Sequence, residues 1–93
     1  MLTSNEYFEG KVKSIALKNK ELPATVGVMD IGEYTFGTSE KETMSVVSGE
    51  LIVKLPETND WKSYKDGDSF IVEANKSFDL KVPVQTAYFC TYG

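Results

Sequence analysis

The sequence contains neither histidine nor arginine, and each absence argues against one class of function. Without histidine the chain lacks the commonest general base and the commonest metal ligand of proteins. All ten basic side chains are lysines, and the net charge is −4 at pH 7. Binding to DNA or RNA normally relies on a basic surface with arginines at the phosphates. The composition therefore does not favour a nucleic-acid-binding protein.

Cysteine is scarce, and long apolar runs are absent. Cys90 is the only cysteine, so the chain cannot form an internal disulfide. A lone thiol is typical of proteins in a reducing cytoplasm. No apolar run approaches the roughly 18 residues of a membrane span, and residues 1–10 lack a signal-peptide core. We therefore predict a cytoplasmic protein that does not insert into a membrane.

Length limits the chain to a single domain that spans residues 1–93. A domain of this size buries only roughly 60–65% of its unfolded surface. Apolar surface and open strand edges then remain to be covered, and pairing of two copies covers both. The sequence therefore predicts a homodimer that associates through sheet edges.

The clearest alternation of apolar and polar residues runs from residue 32 to residue 55. It comes in three short stretches with a period of two, which is typical of strands with one buried face. Polar turns separate the stretches at residues 38–41 and 48–50. The pattern predicts three consecutive strands that pair as an antiparallel meander at the centre of the fold.

Further stretches favour strands, and no window has the spacing of an amphipathic helix. Residues 69–72 are apolar on both faces, as expected for a strand in the middle of a sandwich. Gly27 indicates a bulge or a close approach of the backbone. About nine strands without helices predict an all-β fold, either two packed sheets or a small barrel. The further stretches are residues 11–17, 25–30, 61–64, 69–72, 77–82 and 86–92.

Two short motifs resemble those of the cupins. The first consists of Phe36-Gly37-Thr38, Glu42 and Gly49. In cupins it carries two histidines and a glutamate before a strand that ends in glycine, and Phe36 and Thr38 stand at the histidine positions. The second consists of Gly67, Glu73-Ala74-Asn75 and Phe78. The resemblance implies a cupin-like, single-domain, antiparallel β-sandwich or barrel (jelly roll).

Five longer stretches carry a closer resemblance: residues 5–15, 26–29, 32–38, 48–51 and 88–92. Together they are similar to the small bacterial pyrimidine/purine nucleoside phosphorylases over nearly the full chain. The resemblance implies a broad-specificity enzyme, a pentosyltransferase that cleaves ribonucleosides with phosphate into free base and ribose 1-phosphate. A second hypothesis stays open, namely a non-catalytic cupin module that binds a nucleoside, a sugar or another small molecule.

Phosphorolysis of a nucleoside develops positive charge on the ribose, and the enzyme has to stabilise that charge. Glu42 is the candidate catalytic residue, because a carboxylate accepts hydrogen bonds from ribose hydroxyls and stabilises a nearby cation. The alternative is that Glu42 is a solvated turn residue. Glu40, in the same charged run, is a weaker candidate for substrate binding.

Four aromatic side chains are candidates for stacking on the base. Stacking suits a broad specificity because every base has a π-face. Packing in the core is the alternative role, and we expect it for at least two of the four. These residues are Tyr34, Phe36, Phe78 and Tyr92.

Thr38 and Ser39, with the backbone amides beside Gly37, are candidates for holding phosphate, and Lys13 is the candidate cation. Of the usual cupin metal ligands only Glu42 remains, so the resemblance implies a metal-free site. We expect no cofactor, with inorganic phosphate as a co-substrate. Cys90 is expected to be a buried apolar residue rather than a nucleophile, since no histidine can activate it.

Overall fold

The computed structural model describes residues 1–93, and its only helical element is a 3₁₀ turn at Phe8–Gly10. No helix in the chain is long and apolar enough to cross a membrane. The all-β prediction is confirmed. The strands are β1 (Ser4–Tyr7), β2 (Val12–Leu17), β3 (Ala24–Met29), β4 (Gly32–Gly37), β5 (Glu42–Ser48), β6 (Glu50–Lys54), β7 (Trp61–Lys65), β8 (Ser69–Val72), β9 (Ser77–Val82) and β10 (Thr86–Tyr92).

The strands form two antiparallel sheets that enclose one core. The larger sheet has six strands in the order β1-β2-β3-β10-β5-β8, and the smaller has four in the order β4-β9-β6-β7. Alternate side chains of both sheets meet in a cluster of 15 buried residues. Val12 and Met44 come from the larger sheet, and Leu51 and Leu80 from the smaller. The predicted sandwich is confirmed.

The prediction of a central meander is wrong, because β4, β5 and β6 alternate between the two sheets. β4 and β6 both pair with β9 in the smaller sheet, whereas β5 pairs with β10 and β8 in the larger. The chain crosses to the other sheet at Gly49, which has a φ of +121° and lies against Thr86. The Glu50 amide then donates a hydrogen bond to Thr86 Oγ1 over 3.0 Å. Alternation shows which face of a strand is buried. It does not show to which sheet the strand belongs, because both sheets cover the same core.

The prediction for residues 69–72 is also wrong, because β8 is an edge strand of the larger sheet. Phe70 and Val72 point into the core, as the alternation requires. The second apolar face is due to Ile71, which is 50% exposed on the outside of the sheet. Because Ile71 is an apolar residue on the outer face, the sequence of β8 resembled that of a strand buried on both faces.

The N-terminal arm closes one end of the sandwich. β1 extends the larger sheet beside β2, and the 3₁₀ turn carries Phe8 towards the smaller sheet. The Phe8 ring lies 5.0 Å from Tyr34 and 5.3 Å from Phe36, centroid to centroid. Tyr7 packs edge-on against Phe36 at 6.5 Å. These contacts bring Tyr7 to the opening between the sheets.

Candidate functional site

A cavity of about 160 Å³ opens between the two sheets at the end covered by the arm. Its floor consists of buried side chains, and its rim consists of side chains that also reach solvent. The floor residues are Ser14, Met29, Met44, Phe78 and Tyr88. The rim residues are Tyr7, Phe36, Gly37, Glu42 and Tyr92.

Strand register explains why these residues meet. On β10 the alternation turns Tyr88, Cys90 and Tyr92 inward, and Tyr92 lies directly opposite Glu42 on β5. In the smaller sheet Phe36 on β4 lies opposite Phe78 on β9, and their rings stack at 5.9 Å. Aromatic rings from one sheet therefore face a carboxylate and phenols from the other.

Glu42 is the only charged residue that lines the cavity, and it is half-buried. Burial raises the pKa of its carboxyl above the ordinary 4.5, and the Cys90 thiol partly offsets this. That thiol donates to Glu42 Oε1 across 3.6 Å. The predicted position of Glu42, facing the pocket, agrees with this geometry.

The neighbours of Glu42 on β10 stay neutral in the physiological range. Burial raises the pKa of Cys90 to about 12, with the Glu42 charge adding to the effect. Burial also raises the pKa of Tyr92, although its hydrogen bond with Thr25 Oγ1, 2.9 Å long, acts in the other direction. Glu42 therefore carries its charge among neutral groups, and Thr25 fixes the Tyr92 phenol.

Two of the predicted substrate-binding residues, Tyr34 and Thr38, serve the fold. Tyr34 is buried beside Phe36, and its hydroxyl donates to the Asp30 carbonyl at 2.7 Å. Thr38 is also buried, and its hydroxyl donates to the Glu73 carbonyl at 2.7 Å and accepts from the Lys76 amide at 3.0 Å. Its hydroxyl thus ties down the turn between β8 and β9. Core packing accounts for Tyr34, and turn bonding accounts for Thr38.

Lys13, the cation predicted from the sequence, lies outside the cavity. Val12 and Ser14 point inward, so Lys13, between them on β2, points outward. Its ammonium lies 3.2 Å from Glu6 Oε1 on the outer surface of the larger sheet. The structure therefore does not bring Lys13 to the cavity.

Ser39 and Glu40 are exposed in the loop 38–41, which connects Gly37 to Glu42. Gly37 and Glu42, on either side of this loop, line the cavity, whereas residues 38–41 do not. Neither Ser39 nor Glu40 lines the cavity. Of the eight predicted binding positions, Phe36, Phe78 and Tyr92 line the cavity together with the predicted catalytic Glu42.

Comparison with known proteins identifies the family. The family model of the pyrimidine/purine nucleoside phosphorylases matches residues 2–92. The chain belongs to this family. It is 68% identical over 92 residues to a pyrimidine/purine nucleoside phosphorylase of Teredinibacter turnerae, covering 99% of this chain and 98% of the relative. A relative of the same description from Saccharophagus degradans is 64% identical over 92 residues, with the same coverage.

Solved structures show that this nucleoside phosphorylase family has the cupin-like fold expected from the sequence. A Vibrio parahaemolyticus protein of unknown function superposes with a TM-score of 0.96 at 47% identity, over 100% of this chain and 99% of its own. An RmlC-like cupin from Shewanella frigidimarina superposes with a TM-score of 0.76 at 28% identity, over 94% and 79%. The cupin-like prediction is confirmed.

The donor set of this family member does not fit the metal that many cupins hold. At the two histidine positions, Phe36 offers no donor atom, and the Thr38 hydroxyl is engaged at the turn between β8 and β9. No group of three or more histidine, cysteine, aspartate or glutamate side chains converges anywhere in the chain. A transition metal requires several such donors at once, and Glu42 alone does not provide them.

Sequence reasoning missed several cavity residues of this family member, above all Ser14 and Tyr88. Tyr88 shares the inward parity of Cys90 and Tyr92, and that signal was available. Ser14 shares the inward parity of Val12 on β2, but a polar residue on the inner face of a strand is exceptional, so its residue type indicated exposure. Its burial depends on the pairing of β2 with β3, where Gly27 is its partner.

Proposed function

We propose that this chain is a broad-specificity nucleoside phosphorylase that releases free bases and ribose 1-phosphate from purine and pyrimidine ribonucleosides. The names of its relatives support the proposal. The structural observation that carries it is one half-buried carboxylate, Glu42, at the rim of a cavity lined by aromatic rings. Such a site combines a surface for a flat base with an acceptor for ribose hydroxyls.

The size of the cavity supports a place for the base inside it. A cavity of about 150 Å³ holds a ring such as benzene, and this one measures about 160 Å³. The base therefore occupies the floor, against Phe78 and beside Phe36, while ribose and phosphate stay at the rim. Stacking on these rings discriminates little among bases.

The reaction breaks the C1′–N bond and forms a C1′–O bond to phosphate. The electron pair of the broken bond leaves with the base nitrogen, which then takes up a proton. Positive charge builds up on the ribose as the bond breaks, and the Glu42 carboxylate at the rim stabilises it. Hydrogen bonds from the ribose hydroxyls to Glu42 would hold the sugar for the attack.

Phosphate binds at the rim in this proposal, because the cavity contains no cation and Glu42 would repel a dianion deeper inside. The loop 38–41 offers the Ser39 hydroxyl, its backbone amides and the exposed Lys41. Lys76 lies near the same loop, but its ammonium is paired with Glu57 at 2.7 Å. Lys41 therefore replaces Lys13 as the proposed cation, with Ser39 and Glu40 beside it.

No metal or organic cofactor takes part in the proposed reaction. The donor set around Glu42 supports this, since a transition metal would need ligands that the residues beside it do not supply. We also place the protein in the cytoplasm, where its single reduced thiol is ordinary. The co-substrate is inorganic phosphate.

We also propose a homodimer, with the outer face of the larger sheet as its interface. Ile15, Val26 and Val28 are each about half exposed there, with Ile15 opposite Val26 and Val28 opposite Ala87. The protein exposes 5,903 Å², whereas a folded monomer of its mass is expected to expose about 5,400 Å². The Lys13–Glu6 ion pair lies beside this patch and places one charge of each sign there.

Sedimentation tests the homodimer. We expect a species of twice 10.4 kDa, and Val28→Lys should shift it to monomer. Val84→Lys is the matched control, since Val84 is equally exposed but lies in the turn before β10. A wild-type monomer at all micromolar concentrations would refute the dimer.

An assay of base release tests the proposed function. Purified protein is incubated with uridine, inosine or xanthosine, with and without phosphate, and the free base is quantified. We expect release of base from all three, dependent on phosphate. Binding of nucleosides without any release would instead indicate the non-catalytic cupin module.

A further inference from the structure

The inner face of the larger sheet has a recess beside the cavity, and the ring of Tyr88 fills it. Ser14 on β2 and Gly27 on β3 are ladder partners, and Gly27 is also the partner of Tyr88 on β10. Two small residues side by side leave space that larger side chains would occupy. A Cβ at residue 27 would lie 2.6 Å from Cζ of Tyr88, so the ring lies directly over Gly27.

The same ring forms part of the cavity wall. Tyr88 is 5% exposed and lines the cavity between the sheets. Its ring separates this space from the backbone of β3, which has no side chain at Gly27. The side chain at residue 88 therefore keeps the cavity from extending to the sheet, and its size decides how much space a ligand finds.

The volume of the cavity suits one ring of a base rather than two. The cavity measures about 160 Å³, and a cavity of about 150 Å³ holds benzene. A pyrimidine is a single six-membered ring, whereas a purine adds a fused five-membered ring. Protein interiors are close-packed, so the surrounding side chains do not simply give way to a second ring.

The second ring also changes where the ribose lies. In a pyrimidine nucleoside the ribose is attached to the six-membered ring, whereas in a purine nucleoside it is attached to the five-membered ring. With a six-membered ring in the cavity, C1′ of a pyrimidine nucleoside lies at the rim, beside Glu42, and C1′ of a purine nucleoside lies farther out. Misplacement of reacting atoms by about 1 Å can lower a rate roughly 10²-fold.

We infer that Tyr88 is a specificity-determining residue, which limits the cavity to one ring and thereby favours pyrimidine over purine nucleosides. The inference rests on the proposed function, because it requires the base in the cavity and Glu42 at the ribose. Selection by size is compatible with release of every base, since stacking on Phe36 and Phe78 accepts all of them. Tyr88 thus sets the relative rates and does not exclude a substrate.

The experiment compares kcat/KM for uridine and inosine in wild type and Tyr88→Leu. Leucine is shorter than the phenol, and the surroundings relax only partly after such a truncation, so the cavity extends towards Gly27. We expect the wild type to prefer uridine by about tenfold. In Tyr88→Leu the preference should fall to within about twofold of equality or reverse, because a purine then enters deeper. Tyr88→Phe keeps the ring and should keep the preference.

Tyr64→Leu is the matched control. Tyr64 is another buried tyrosine, but it packs against Phe70 and does not line the cavity. Its truncation removes the same atoms from the core and should leave the preference for uridine unchanged. Thermal unfolding shows which variants retain the fold. If Tyr88→Leu unfolds, Tyr88→Met replaces it, since methionine adapts to irregular space.

Two results would overturn the inference. An equal fall of both kcat/KM values in the folded Tyr88 variant would assign Tyr88 a merely structural role. A wild type that prefers inosine, or that does not distinguish the two nucleosides, would overturn the inference without any variant.

Calorimetric binding of uridine and inosine without phosphate separates the inference from the proposed function. If no turnover occurs but truncation of Tyr88 raises the affinity for inosine relative to uridine by about tenfold, selection by size holds and only the phosphorolysis is refuted. Turnover with an unchanged preference in the folded Tyr88 variant would refute only the inference. Absence of both turnover and nucleoside binding would refute both.

Discussion

Glu42 and Tyr92 face each other across the β5–β10 ladder, and both side chains line the cavity. Thr25 holds the Tyr92 hydroxyl at 2.9 Å, so this phenol is directed by β3 rather than by Glu42. The Cys90 thiol approaches Glu42 from the same strand at 3.6 Å. The carboxylate therefore keeps most of its hydrogen-bonding capacity for a ligand, as its proposed role at the ribose requires.

Removal of the Glu42 carboxylate should lower turnover. Glu42→Ala should reduce kcat by roughly 10²-fold or more, because the charge that develops at the anomeric carbon loses its stabilisation. Glu42→Gln retains hydrogen bonding without the charge and should lie between. The measurement is steady-state phosphorolysis of uridine.

Glu33→Ala is the control for the Glu42 variants. Glu33 is exposed on the outer face of β4, away from the cavity, and its replacement should leave kcat unchanged. Glu57 is less suitable, since it is paired with Lys76 near the loop 38–41. Near-native activity of Glu42→Ala would show that Glu42 is a solvated residue without a catalytic role. The proposed site would then lack its central group.

The raised pKa of Glu42 also predicts a pH-dependent stability. Burial raises the pKa above 4.5, so the folded protein holds this proton more tightly than the unfolded chain does. Stability is therefore lost as pH rises from 4.5 through the folded-state pKa. Glu42→Gln stays neutral and should have a higher Tm than wild type at pH 7.

Thermal unfolding between pH 4 and pH 8 measures this effect. The difference in Tm between Glu42→Gln and wild type should shrink towards zero as the pH approaches 4. A constant difference across the range would mean that ionisation of Glu42 does not affect stability.

Cys90 should be chemically inert in the folded protein. It is fully buried, and burial raises its pKa to about 12, so almost no thiolate exists at pH 8. Because the thiolate is the reactive form, iodoacetamide should label Cys90 at pH 8 only after unfolding in urea. Mass spectrometry of timed samples gives the rate. Rapid labelling of the native protein would show that the β10 strand opens to solvent.

Activity should not depend on a divalent metal. The cavity offers a single carboxylate among phenols, thioethers and a hydroxyl, and metal ions bind poorly to such a set. Dialysis against a chelator should therefore leave phosphorolysis unchanged. The prediction fails if chelation abolishes activity and a divalent ion restores it.

The sequence predicted most strands and the inward side of each, because alternation directly reflects which face is buried. Side-chain parity also shows that Glu42, Phe36 and Tyr92 lie on the inward-facing side of their strands. The same parity excludes Lys13, which lies between the inward-pointing Val12 and Ser14. The sequence-based choice of Lys13 relied on charge and neglected this alternation.

Other features could not be predicted, because they depend on pairing between distant strands. Alternation does not say which sheet a strand joins, so β4, β5 and β6 looked like neighbours. The sequence made Thr38 a candidate for ligand binding. Its hydroxyl instead bonds to the carbonyl groups of Glu73 and Lys76, which lie 35 and 38 residues further along the chain. Tyr88 lies across β3 only because Gly27 has no Cβ that would meet its ring.

The stoichiometry of phosphorolysis tests the central claim most directly. Purified wild-type protein is incubated with inosine and phosphate, hypoxanthine is quantified by chromatography, and ribose 1-phosphate is followed by ³¹P NMR. Our account predicts equal amounts of the two products, none without phosphate, and at least a roughly 10²-fold slower reaction with Glu42→Ala. Release of hypoxanthine without phosphate, or no release under any condition, would contradict it.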